Sequence, residues 1–347
     1  GGSVKGSVLS PTNGTDSVYC LKIANPDSST VVIDGKSYTP VNHTAADSGD
    51  TNLYVYLSAA SHTVKVGSKK EVTYNFSTAK NKFLLSPADD DFVFTPPTDD
   101  IYDGTARTAV ITVKDGIVGM GDITEVLYYN ESGQKIDQPV DAGTYTVKIT
   151  VAEGDNYAAT DSELEVGSYT IRKAIPTVTK PTATAITYGE TLAASTLTAG
   201  WSWTDDTAKP DVQNSGYEAY TTVTDDNNYD YSNLDGYTYD EASHKLTTKV
   251  QVTVNKAVPT ITEPTSTAII YGQKLSDSVL SDTNWSWVSE DTVPDVNNRG
   301  YEAVITVDDS NYDYTGISGY DSTAHTVTRT VAVTVNKADI TADMLEF

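Results

Sequence analysis

Cysteine, methionine, histidine and phenylalanine are scarce in this chain of 347 residues, with counts of 1, 2, 4 and 5. A lone Cys20 excludes an intrachain disulfide and any thiolate metal cluster. The histidines, His43, His62, His244 and His325, are scattered along the chain, and none belongs to a His-Glu-x-x-His motif. No Gly-x-Ser-x-Gly elbow and no phosphate-cradling loop occurs either, so a non-catalytic role is expected. Positive charge is also short: 23 Lys and Arg face 48 Asp and Glu, a formal charge of -25. Such a balance repels phosphate backbones and anionic membrane surfaces, which argues against nucleic acid as a partner. No apolar run approaches the ~18 residues of a spanning helix, so membrane insertion is not expected. The opening Gly-Gly-Ser is read as a boundary left after removal of a signal.

What the chain has instead is tyrosine, 23 of them, with abundant Thr, Val, Ser and Asp. β-Branched residues and rings with one wet edge suit strands, so the fold class expected is all-β. On ~100 to 150 residues per domain, the length allows two to four domains.

The stretch KAIPTVTKPTATAITYGETL (173–192) returns as KAVPTITEPTSTAIIYGQKL (256–275), a repeat about 83 residues on. The match continues through GWSW and NWSW, GYEA and GYEA, DDNNYDY and DDSNYDY, and closes at VQVTVNKA and VAVTVNKA. So long a period makes each copy a whole domain rather than one turn of a solenoid. Turn signals such as Tyr188-Gly189 and Asn214-Ser215-Gly216 separate short alternating runs, among them YEAYTTV and KVQVTVN. That spacing predicts a sandwich of about seven strands, Ig-like in size.

Residues 86–172 form a related unit with YDGTA and DAGTYTV, where Asp141 to Tyr145 has the form of a tyrosine corner. Gly216-Tyr217 and Gly300-Tyr301 are expected to do the same in the repeats. Residues 1–85 form a separate N-terminal β domain, with an Asp34-Gly35 hairpin turn and the strand pair NLYVYLSAASHTVKV. The domain boundaries are therefore 1–85, 86–172, 173–255 and 256–337. Residues 338–347, in which ADMLEF is similar to the earlier ADDDFVF, read as the start of a truncated further repeat.

On AITYGETL and AIIYGQKL, the Trp pairs, GYEA and VTVNKA, the two copies resemble the YGX variety of MBG repeats of bacterial surface proteins. The unit with YDGTA and DAGTYTV resembles the YDG repeats that accompany them, and VVIDGKSYTP with SHTVKV is faintly similar to PEGA-type domains. The resemblance implies tandem Ig-like sandwiches in a secreted, surface- or wall-attached adhesin, located outside the cell. It implies an unidentified glycan or protein surface ligand as partner, and neither a ligand identity nor catalytic residues. The lone cysteine leaves a cytosolic reading open beside export. The joints NKAVP and RKAIP, each stiffened by a proline, lead us to expect an elongated, semi-rigid monomer.

Four chemistries compete for the notable residues. The acidic clusters could ligate calcium at Asp225, Asp226 and Asp230, or at Asp308, Asp309 and Asp313, although ordinary turns use the same residues. A self-made isopeptide bond could join Lys173 to Asn255 or Lys256 to Asn336, with Glu218 or Glu302 as the buried acid. Trp201 and Trp203, like Trp285 and Trp287, share one face of a strand. In domains poor in Leu and Phe they are expected to be core, with an open glycan platform as the alternative. In NLYVYL, the aliphatic face Leu53, Val55 and Leu57 turns Tyr54 and Tyr56 outward or beneath a neighbouring strand, making them candidate glycan-binding residues. Neither metal nor cofactor is required by any of these features, and carbohydrate-binding modules of an extracellular polysaccharide-degrading system are the alternative function.

Overall fold

In the computed structural model the residues described are 8–9, 18–23, 30–38 and 52–339; His43 and the segment 340–347 lie outside them. Among these residues the protein is all-β, with three short 3-10 turns and no α-helix. The chain divides into two compact units, one of residues 1–175 with 227–230, the other of 176–226 with 231–347.

The first unit starts with a three-stranded antiparallel sheet of Val8–Leu9, Val18–Ile23 and Leu53–Leu57. Five further strands, Lys36–Tyr38, Val31–Ile33, Ser61–Val66, Val72–Ser77 and Lys82–Leu85, form a second sheet in that order. Leu21, Ile23 and Val55 of the first sheet and Val31, Ile33 and Val64 of the second bury into one core. Alternation of side chains along each strand aims these residues inward. The hairpin turn falls where the Asp-Gly signal places it: Asp34 and Gly35 both take positive φ, 49° and 78°, and Ile33 pairs with Lys36. His62 locks this turn, its Nδ1 2.6 Å from Asp34 Oδ2 and its Nε2 2.6 Å from the Ala59 carbonyl.

Later in the same unit, Phe92–Thr95 and Val110–Val113 pair as a ribbon. A four-stranded sheet holds Lys135–Ile136, Ile123–Tyr129, Gly143–Val151 and Leu164–Ile171 in that order. Ribbon and sheet share two cores, around Tyr128, Tyr145, Val147, Tyr169 and Ile171, and around Phe92, Ile149 and Val151. Gly167 sits within a strand because the Phe94 ring lies on it; a Cβ there would come within 2.6 Å of the ring. The tyrosine corner is present, with the Tyr145 hydroxyl donating to the Asp141 carbonyl at 2.7 Å.

In the second unit the two sequence repeats build the same framework. Ser202–Trp203, Tyr217–Thr222, Lys245–Val250 and Thr238–Asp240 form one four-stranded sheet, and Trp285–Trp287, Tyr301–Thr306, Thr326–Val331 and Tyr320–Asp321 the other. In each copy the first strand runs parallel to the last, Ile186–Thr187 beside Val254–Asn255 and Ile269–Ile270 beside Val335–Asn336. Gly216-Tyr217 and Gly300-Tyr301 differ from the expected corner. Tyr217 and Tyr301 pack their rings against the cores, and an asparagine closes the turn. Asn214 Oδ1 accepts from the Gly216 N–H at 3.1 Å, while its Nδ2 donates to the carbonyls of Asp211 and Val252 at 3.0 and 3.1 Å. Asn298 repeats all three bonds, with Gly300, Asp295 and Val333.

Candidate functional site

The tryptophan pairs point inward, so the open-platform alternative is corrected. Along Trp285–Trp287 burial alternates as a strand demands, with Trp285 4 % exposed, Ser286 exposed and Trp287 half-buried. Trp201 and Trp203 are both half-buried around an exposed Ser202. The second indole of each pair also satisfies the backbone: Trp203 Nε1 donates to the Ser195 carbonyl at 2.9 Å and Trp287 Nε1 to that of Ser278 at 2.8 Å. A ring committed on both its face and its N–H has little left to offer a sugar.

Leu53, Val55 and Leu57 join the core as expected. On the other face Tyr56 is 50 % exposed and Tyr54 half-buried, while Cys20, the cross-strand partner of Tyr56, is only 1 % exposed. That face is therefore covered at Cys20 and open at Tyr56 and Lys22, which leaves less than a paired aromatic platform.

The isopeptide geometry is not met. The chemistry needs a buried acid, whereas Glu218, Glu302, Asn255 and Asn336 are all exposed, and Lys256 Nζ donates to the Asp309 carbonyl at 2.5 Å. The acidic clusters are likewise occupied by the protein itself. Asp226 accepts from the Tyr239 hydroxyl and from His244 Nδ1, the latter at 2.5 Å. Asp309 accepts equivalently from Tyr320 and from His325 Nδ1 at 2.7 Å. These donors hold both carboxyls below the usual carboxylate range, the tyrosine contributing most. Conversely, Tyr239 is pushed up to about 12 by burial and by Asp226, and Tyr320 to about 12 chiefly by Asp309. His244 and His325 adopt positive φ, 53° and 55°, in the turns that bring their rings to these carboxylates. Asp308 caps Ser310 and Asn311, and Asp313 caps Thr315. Among the described residues no group of three or more His, Cys, Asp or Glu is arranged to hold a metal ion.

What the loops do instead is join one module to another. Within the second unit, Asn311 Oδ1 accepts from the Val212 N–H at 3.0 Å and its Nδ2 reaches Asp211 Oδ1 at 3.3 Å. Next to it, Tyr312 meets Tyr188 edge-on, 5.1 Å between centroids at 80°. The backbone of the same loop holds the incoming strand, with Ala257 N–H donating to the Asn311 carbonyl at 3.1 Å and Asp313 N–H to the Ala257 carbonyl at 2.9 Å. Asparagine suits this place because its amide accepts from an N–H and donates to a carboxylate at once; an aspartate would be repelled.

The first unit contains the same arrangement. Asn228, 8 % exposed, accepts from the Ala142 N–H at 2.8 Å and donates to Asp141 at 3.1 Å. Tyr229 meets Tyr102 edge-on, 5.4 Å apart at 88°, and Ala174 takes the two backbone bonds. In the sequence NYDY reads as turn chemistry and YG as a repeat marker, with no local feature that links the two. The signal available was their joint recurrence in the two repeats.

Comparison with family models, with curated proteins and with solved structures returns no match.

Proposed function

We propose that this chain is a non-catalytic segment of a secreted or cell-surface bacterial protein, a stalk or adhesin segment of tandem Ig-like sandwiches of the MBG and YDG kinds. The observation that carries the reading is the joint at Asn311 and Tyr312, which commits the most distinctive polar and aromatic residues of the repeats to holding neighbours in register. A catalytic or ligand-binding domain would turn such residues towards a substrate. A load-bearing spacer turns them towards the next spacer. The parallel first-to-last strand pairing in each repeat supports the same reading, since it ties the entry and exit of the chain within one domain.

Heteronuclear relaxation of the second unit tests this. Residues 176–226 and 256–337 are expected to tumble as one body, and Asn311→Ala to release them. Independent tumbling in the unaltered protein would refute the spacer role. A glycan screen of the whole chain addresses the alternative: retention that is lost on Tyr56→Ala would move the reading to a carbohydrate-binding module.

A further inference from the structure

Among the described residues two Asn-Tyr loops, at Asn228 and Asn311, place their side chains on a neighbouring surface, and three copies of that surface occur. A seat consists of the tyrosine of the YDG or YG turn together with an Asp and the backbone N–H that follows it. Tyr102 with Asp141–Ala142 receives Asn228 and Tyr229, and Tyr188 with Asp211–Val212 receives Asn311 and Tyr312. The third copy is Tyr271 with Asp295–Val296, in repeat 2.

This third seat is built like the second in each part that can be compared. The Tyr271 N–H donates to the Asn336 carbonyl at 2.8 Å, as the Tyr188 N–H does to that of Asn255 at 2.8 Å. Asn298 fixes the turn that presents Val296 with the same three bonds Asn214 uses to present Val212. The difference is exposure. Tyr188 and Val212 are half-buried, whereas Tyr271 is 53 % exposed and Val296 36 % exposed. A fixed N–H and an aromatic face beside a carboxylate are thus displayed together with nothing on them among the described residues.

We propose that Tyr271, Asp295 and Val296 form a docking seat for the Asn-Tyr loop of one more module of this kind, following Asn336 in register. The occupant is set by chemistry already used twice: an asparagine amide to bridge the Val296 N–H and the Asp295 carboxylate, and a tyrosine edge for the Tyr271 ring. A second copy of this chain is a poorer fit, because its loops at Asn228 and Asn311 are already seated.

Amide exchange of the full chain first checks the rule: Asn311→Ala should speed exchange of the Val212 N–H by roughly tenfold or more. A chain in which residues 256–336 are duplicated directly after Asn336 then tests the seat. The Val296 N–H is expected to slow by roughly tenfold on duplication, and to return to its former rate when the added copy carries alanine at the position of Asn311. If the added copy does not fold, replacing residues 173–255 by a second copy of 256–336 puts the same seat opposite the resident Asn311 loop. An unchanged Val296 rate in a folded duplicate, no effect of the alanine, or protection in the unaltered chain that rises with its own concentration overturns the proposal. The last outcome would name a second copy as the occupant.

Discussion

Trp285→Ala is expected to destabilise repeat 2 by about 3 to 5 kcal/mol, the usual range for emptying a buried tryptophan site. Trp285 lies in one cluster with Leu280, Ala303, Tyr314, Val327 and Val331 and is 4 % exposed. An indole burying ~200 Å² gains about 5 kcal/mol gross at ~25 cal/mol/Å². Alanine keeps only the Cβ share of that, and partial collapse of the site recovers some more. Since a domain has ~5 to 15 kcal/mol of net stability, the loss is large enough to leave repeat 2 marginal. The equivalent Trp201 is half-buried and leans on Tyr237 at 6.3 Å, so Trp201→Ala should cost about half as much. Urea titration followed by the indole N–H signals of the remaining tryptophans reads each repeat separately. This matters because a chain of several domains need not unfold in one step. A cost at Trp285 below about 1 kcal/mol would refute the assignment of the pair to the core, and equal costs at the two positions would refute the scaling of cost with burial.

Two further expectations follow from the backbone and the carboxylates. Gly300 has φ 91°, and a Cβ there would lie 2.7 Å from the Val331 carbonyl oxygen, whereas Gly272, at φ 101°, has nothing within 4 Å. Gly300→Ala should therefore lower the urea midpoint of repeat 2 clearly more than Gly272→Ala, which pays only the ~1 to 2 kcal/mol of a left-handed alanine; equal shifts would count against the close approach. Asp226 and Asp309 are held below the ordinary carboxylate range by their tyrosine and histidine donors. Their contribution is thus present above the unfolded value of about 3.9 and is lost as pH falls through the lower folded value. Because lowering pH also relieves the -25 charge, the informative quantity is the difference between the protein and the Asp226→Asn, Asp309→Asn variant. That difference should shrink below about pH 4. A difference that does not change on acidification would show that these bonds do not depend on the charge.

The residue pattern itself determined whatever rests on near neighbours in the chain. Period-2 alternation settled the all-β class and the inward face of Leu53, Val55 and Leu57. It also put Trp285 and Trp287 on one side, because strand geometry leaves only two faces. The Asp34-Gly35 turn and the Tyr145 corner were legible for the same reason, their partners lying within four residues. Where two local devices could serve one turn, the pattern misled: a tyrosine was expected before the GYEA strand, and Asn214 and Asn298 do that work, reaching carbonyls as far off as Val252 and Val333. Only the tertiary structure decided what the acidic loops are for. DDSNYDY reads as a turn or as a cation site while its surroundings are unknown, and Asn311 meets the Val212 N–H across 99 residues of chain. That pairing depends on how one repeat abuts the next, a geometry set by packing over the whole repeat and carried by no short stretch of sequence.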